Sequence, residues 1–322
     1  RNADGEDGRD AVWLDDMLVA IEEEPFPHRD GWFWRFGSRP GVTRDGMPYF
    51  VGGITDVQGG STEERGLFKG PDGEPVYIGG TVIDGLPDPV APSTGNVSFD
   101  FRFSPYGTYV IAEVQTDTGN FDDDNHIVIN DTVITIDGLP LSEGGPVAEA
   151  AGGQAGEMWD NWDYLGINEA GDWLVTGDTS LPTDQDEFLM INGQIILREG
   201  QTLDGLVLDG SMQHAYLGPD GDWACIWDGD TGSEVLEILI VNGEVVLIEG
   251  EPVDIDGDLE PDPDTILTNI TGAAILAVSE RDAQGRAKVY FTADVETPGA
   301  LQAGGGEVVR ASEENGLVED HV

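Results

Sequence analysis

Apolar residues in this chain fall in short runs broken by Gly, Asn and Asp. The clearest pattern is an apolar run, a two-residue turn, a second apolar run and a closing Gly or Glu. It reads twice almost identically, from Glu187 to Gly200 around Asn192-Gly193 and from Glu237 to Gly250 around Asn242-Gly243. Weaker copies run from His126 to Gly138 around Asn130-Asp131, from Leu67 to Gly79 around Asp72-Gly73, and from Val12 to Glu24 around Asp15-Asp16. A last copy is split, with Lys288–Phe291 as one strand and Gly306–Val309 as the other. Asn-Gly and Asp-Gly between β-forming runs predict hairpins, because both central residues of a type I′ turn need positive φ. We term this unit the C–D hairpin.

Between these hairpins lies a second one, A–B, in which a strand ends at a Gly-containing turn and an apolar strand follows. Its copies place Gly46 before Met47–Val51, Gly107 before Thr108–Val114, and Gly171 before Asp172–Thr176. Two more place Gly221 before Asp222–Trp227 and Gly272 before Ala273–Val278. The turn glycines recur at intervals of 61, 64, 50 and 51 residues. Four short strands and three turns fill such a period, as in a propeller blade. A sandwich has no need of the same turn order five times, and a parallel β-helix has shorter rungs. The expected fold is all-β: a β-propeller-like array of about five four-stranded antiparallel blades (five or six), with an extra N-terminal β-hairpin.

The unit of Gly turn, apolar strand, Asn-Gly hairpin and closing Glu-Gly resembles the tandem propeller-like repeats of secreted or surface-anchored bacterial proteins of unknown function. The resemblance spans residues 12 to about 311. Its motifs are structural, so it implies an architecture and no catalytic residue.

Counting gives five A–B and six C–D hairpins, because the chain opens on an unaccompanied C–D copy. The expected organisation is an arm with a hairpin (1–26), a repeat domain (27–311) and a tail (312–322). The hairpin either completes the last A–B pair of its own chain or is donated to a neighbour. An unpaired strand edge is a template for another chain, and a head-to-tail contact that does not close makes a filament. The candidate interface residues are Val12, Trp13, Leu14, Leu18 and Ile21.

Charge narrows the partners. With 64 acidic and 14 basic residues the net charge is −50, so nucleic acid and anionic membranes should be repelled. Such a charge suits surroundings that screen or neutralise carboxylates, such as brine or millimolar calcium. No apolar run is long enough to span a bilayer as a helix. A first residue of Arg1 rather than Met fits a mature form trimmed of a secretion signal, or a partial sequence. The expected location is extracellular or at the cell surface. Cys225, the single cysteine, lies in an apolar run and reads as a buried small hydrophobe.

Candidate chemistry is sparse. Asp254, Asp256, Asp258, Glu260, Asp262 and Asp264 alternate with non-acidic residues, which suits the six to eight oxygen ligands of Ca²⁺. A solvated acidic loop is the alternative, since the full EF-hand pattern is missing. Acidic loops at 120–125, 183–187 and 228–234 fall between strands B and C and read as turns. The chain carries no Gly-x-Ser-x-Gly, His-Glu-x-x-His or phosphate-loop motif, and has four histidines, His28, His126, His214 and His321. Trp32, Trp34, Trp159 and Trp162 could stack on sugars or pack at an interface or in a core. Asn96, Asn130 and Asn269 head glycosylation sequons. The expected function is a non-enzymatic extracellular structural protein, self-assembling through the N-terminal hairpin. The alternative is a secreted propeller that binds or cleaves carbohydrate, for which paired carboxylates would be needed.

Overall fold

The computed structural model describes residues 9–14, 16–91, 100–116, 125–255, 260–270, 276–296, 307–312 and 317–318. Among these the protein is all-β and propeller-like, built from several four-stranded antiparallel sheets. The chain divides into two compact units, Arg1–Gly145 and Pro146–Val322.

In the first unit, β1 (Ala11–Leu14) and β2 (Met17–Ile21) form the N-terminal hairpin. Then β3 (Phe33–Val42), β4 (Pro48–Thr55), β5 (Glu64–Lys69) and β6 (Glu74–Tyr77) form one sheet in the order A-B-C-D. A second comprises β7 (Phe101–Phe103), β8 (Val110–Gln115), β9 (Asn125–Ile129) and β10 (Thr132–Val133). A small hairpin, β11 (Thr135–Ile136) with β12 (Leu139–Pro140), follows.

In the second unit, β13 (Trp159–Ile167), β14 (Trp173–Thr179), β15 (Phe188–Ile191) and β16 (Gln194–Arg198) repeat the order. The next sheet holds β17 (Thr202–Leu203), β18 (Leu206–Leu217), β19 (Trp223–Asp230), β20 (Val235–Val241) and β21 (Glu244–Ile248), with β17 outside β18. The last holds β22 (Ile266–Asn269), β23 (Leu276–Val278), β24 (Lys288–Glu296), β25 (Glu307–Ser312) and β26 (Leu317–Val318).

The last sheet corrects the strand assignment drawn from sequence. Both β22 and β23 pair with β24, Leu267 opposite Val295 and Val278 opposite Val289. They are therefore two parts of one A strand, β24 is strand B rather than C, and β25 and β26 are C and D. The turn glycine equivalent to Gly46, Gly107, Gly171 and Gly221 is Gly285, at φ +84°. Gly272 lies outside the described residues.

Within each unit the cores lie between consecutive sheets. Strand β19 shows how: Trp223, Cys225 and Trp227 pack towards Leu174, Leu189 and Met212, while Ala224 and Ile226 pack towards Leu267, Leu276 and Phe291. Both faces of a period-two strand are thus buried, which is why Trp223–Trp227 reads as an unbroken apolar run. Cys225 is a buried free thiol, its pKa pushed up by burial.

The C–D turns do more than reverse the chain. Asn130, Asn192 and Asn242 occupy positive φ, at 55°, 49° and 49°. Each donates its N–H to the carbonyl of the first residue of strand B, Val110, Trp173 and Trp223 respectively. Each side-chain Oδ1 then accepts the N–H of that same residue, at 3.0, 2.9 and 2.9 Å. The asparagine thus extends the B–C ladder by one pair from within the turn. In the first sheet the equivalent B residue is Pro48, which has no N–H, and the equivalent turn residue is Gly70, which has no side chain. Only the Gly70 N–H to Pro48 carbonyl bond remains, at 2.7 Å. The acceptor is missing where the donor is missing.

A second recurring contact joins the end of a D strand to the segment that leads the next sheet within the same unit. Gly200 donates to Leu208, which donates back to Gln201; Gly250 and Glu251 treat Leu267 alike, and Gly80 and Thr81 treat Val90 alike. At the N-terminal hairpin Glu23 donates to Trp34, which donates to Glu24, at 2.8 and 3.0 Å. Glu23 even shares the positive φ of its glycine counterparts, 67° against 84°, 77° and 86°. The hairpin is therefore a C–D pair seated on the following A strand, with Val12, Val19 and Ala20 buried against Trp34, Phe50 and Phe68.

Replacing Asn192 or Asn242 with Ala leaves a strand N–H unpaired and should cost on the order of 1–3 kcal/mol, read as a fall in Tm. Gly70→Asn, which has space for a Cβ but finds no donor on Pro48, should bring no comparable gain. Equal Tm values for N192A and the wild type would contradict the ladder role.

Candidate functional site

Strands β13 and β14 lose register between Trp162 and Leu165, so that Asp163 and Tyr164 oppose Thr176 alone. Thr176 Oγ1 accepts the Tyr164 N–H at 3.0 Å and holds this bulge. Gly177 permits it: a Cβ there would lie 2.0 Å from the Asn161 carbonyl oxygen. A bulge re-aims a side chain, and here it brings Asp163 to Asp178 on β14 and Glu187 at the start of β15. One carboxylate oxygen from each residue lies within 4.8 Å of the other two.

Glu187 is 4% exposed. Its Oε1 is buried and accepts no hydrogen bond; the Met212 N–H bonds to the carboxylate, and Asp178 is a side-chain hydrogen-bond partner of it. Burial, then the charges of Asp163 and Asp178, push its pKa up to about 9. Three ionised carboxylates this close would repel by roughly 3 kcal/mol per pair at an effective dielectric near 20. The cluster therefore calls for a proton or a cation.

The following sheet is an internal comparison fifty residues on. Asp228 and Glu237 stand where Asp178 and Glu187 stand, and Glu237 accepts the Ile270 N–H at 2.5 Å as Glu187 accepts that of Met212. The position of Asp163 is held by Gln213, so the third carboxylate is absent. A further carboxylate closes each C–D hairpin: Glu199 accepts the Gly210 N–H at 2.8 Å, and Glu249 accepts the Glu237 N–H at 3.1 Å. Burial and Asp186 push Glu199 up to about 7. Beside it an open polar groove of about 570 Å³ is lined by Asp184, Gln185, Arg198 and Glu199, with Arg198 paired to buried Glu157 at 2.7 Å.

The residues singled out from sequence are placed differently from one another. In the 254–264 loop, Asp254 is buried, Asp262 accepts the Ile255 N–H at 3.1 Å, Glu260 and Asp264 are exposed, and Asp256 and Asp258 lie outside the described residues. Among the described residues the carboxylates that come together are Asp163 on β13, Asp178 on β14 and Glu187 just before β15. Of the hairpin residues, Val12 is core, Leu14 and Ile21 are half-buried, and Trp13 and Leu18 are 59% and 41% exposed.

Trp34 packs with Phe26, Phe50 and Phe68, and Trp159 and Trp162 with Phe188. These three rings are buried and offer no open face to a sugar; Trp32 is half-buried beneath the Arg29 guanidinium, 4.3 Å away. Asn130 has its Oδ1 engaged in the turn, Asn269 is half-buried on β22, and Asn96 lies outside the described residues. The triad escaped sequence reading because Asp163 reaches it only through the bulge. Gly177-Asp178, a glycine inside an apolar strand, was the available sign.

No protein-family model matches this chain, and no curated protein matches its sequence. No helix among the described residues is long and apolar enough to cross a membrane.

Burial raises the pKa of Asp228, and the charges of Asp209 and Glu249 add to it; burial likewise raises that of Glu237, with the Ile270 N–H opposing and the charges of Glu249 and Asp228 adding. Folding thus favours their protonated forms. Their stabilising contribution is full below the ordinary carboxylate range and is lost as pH rises through the raised values. Glu237→Gln, neutral throughout and still able to accept the Ile270 N–H, should match wild type in Tm at pH 4 and exceed it at pH 8. A Tm difference independent of pH would contradict this.

Proposed function

We propose that the protein is a non-enzymatic structural protein of the cell exterior that assembles with copies of itself through its N-terminal hairpin. The observation that carries this reading is the edge of β1. By its place in the repeat β1 is a C strand. Every other C strand, β5, β9, β15, β20 and β25, is bonded on one side to a B strand and on the other to a D strand. Among the described residues β1 pairs with β2 alone. The hairpin also exposes Trp13 and Leu18, directly opposite each other on its two strands, which is a hydrophobic patch beside an open edge.

The occupant that fits is a B strand from a second copy. The strand best suited is β24 of the last sheet, whose own D strand, β26, is only two residues long. Exchange of β25–β26 for a neighbour's β1–β2 joins copies head to tail, a contact that propagates. A charge of −50 per copy opposes association unless ions screen it, which fits a saline exterior. A carbohydrate-handling reading would call on aromatic faces, and Trp34, Trp159 and Trp162 are spent in cores.

Sedimentation of the full chain in 0.5 M NaCl should show mass rising with protein concentration. Trp13→Pro, which removes an edge donor, should hold the protein at monomer mass. A monomer at every concentration, or equal assembly by the variant, would refute the reading.

A further inference from the structure

Independently of assembly, we propose that Asp163, Asp178 and Glu187 form a binding site for one hard divalent cation of the Ca²⁺ class. Two oxygens bound to one Ca²⁺ at 2.3–2.6 Å can be no more than about 5 Å apart. The three carboxylate oxygens fall inside that limit, all within 4.8 Å of one another. The donor set is oxygen only and anionic, which favours Ca²⁺ or a similar hard ion over metals that seek imidazole or thiolate.

Proximity of acidic groups alone would not carry this. The second observation is Glu187 Oε1, on a side chain 96% buried, which has no hydrogen-bond donor. A buried carboxylate oxygen without a donor is costly unless something positive meets it. The charged neighbours of this carboxylate are Asp163 and Asp178, the latter also its side-chain hydrogen-bond partner within the cluster; neither brings positive charge.

The comparison between sheets points the same way. Glu237 meets the Ile270 N–H just as Glu187 meets that of Met212, so the backbone clasp needs one carboxylate only. The β13 bulge adds Asp163 to that arrangement, while the following sheet has Gln213 there. Asp163 thus places a third anionic oxygen beside those of Asp178 and Glu187. Asp163 and Asp178 are half-buried while Glu187 is buried, so the site is open on one side for entry and for water to complete the shell.

Terbium(III), a Ca²⁺ surrogate, tests this in 150 mM NaCl, with emission excited through tryptophan; Trp162 is next in the chain to Asp163. Wild type should give a saturable signal that Ca²⁺ displaces. Asp163→Asn and Glu187→Gln should each weaken the affinity at least tenfold, whereas Asp264→Asn in the acidic loop should leave it unchanged. Ca²⁺ should also raise the Tm of wild type and not that of the two site variants. Titrations of D163N indistinguishable from wild type would overturn the site. So would a wild type with no saturable signal, which would leave Glu187 and Asp178 sharing a proton. Asp163 is half-buried and outside the clasp, so D163N decides the matter even if Glu187→Gln fails to fold.

Discussion

Apart from β1, each C strand among the described residues is held from both sides, and most of the architecture follows from how that is achieved. On one side the D strand returns through a tight turn. On the other, the turn asparagine exchanges two hydrogen bonds with the first residue of strand B, so the hairpin cannot slide along its sheet. A one-residue slip would move every apolar side chain to the wrong face, and with both faces of β19 buried neither face tolerates it. The loss of the asparagine opposite Pro48 shows that the turn residue answers a specific donor rather than only the demand for positive φ.

The D-to-A clasp then propagates order from one sheet to the next within each unit. Its acceptors and donors are backbone groups, but carboxylates surround it: Glu187, Glu199, Glu237 and Glu249 each accept a backbone N–H at the ends of strands. Part of the large acidic excess is therefore structural. The Asp163 cluster departs from this scheme by one residue, and that departure locates the proposed cation site.

Fold class was legible because turn chemistry is local. Asn-Gly and Asp-Gly mark hairpins through backbone sterics alone, and the C–D copies at 187–200 and 237–250 appear where those signals stand. The last sheet was misread because Gly272, in sequence, stands before an apolar run as the A–B turn glycines do, whereas that apolar run, β23, pairs with β24 as β22 does and the turn is made by Gly285. The bulge that presents Asp163 depends on Gly177 meeting Asn161 across two strands, a contact between residues sixteen apart that no short motif records. Alternating acids at 254–264 suit calcium by their spacing alone; of them Asp262 bonds a loop amide, and Asp256 and Asp258 lie outside the described residues. Of the tryptophans, for which sugar stacking and packing at an interface or in a core were the open readings, Trp34, Trp159 and Trp162 went to the core, where their large apolar area is buried between strands.

The central claim is that β1 presents an open edge which a second copy covers. Amide hydrogen exchange of residues 11–14, followed in dilute monomer and in concentrated protein at high salt, addresses it directly. Fast exchange is expected in the monomer for those amides of Ala11–Leu14 that point away from β2, with at least tenfold slowing on concentration, while the amides bonded within the hairpin are protected in both. Equal protection of residues 11–14 at both concentrations would mean that the edge is already paired within one chain, and would contradict it.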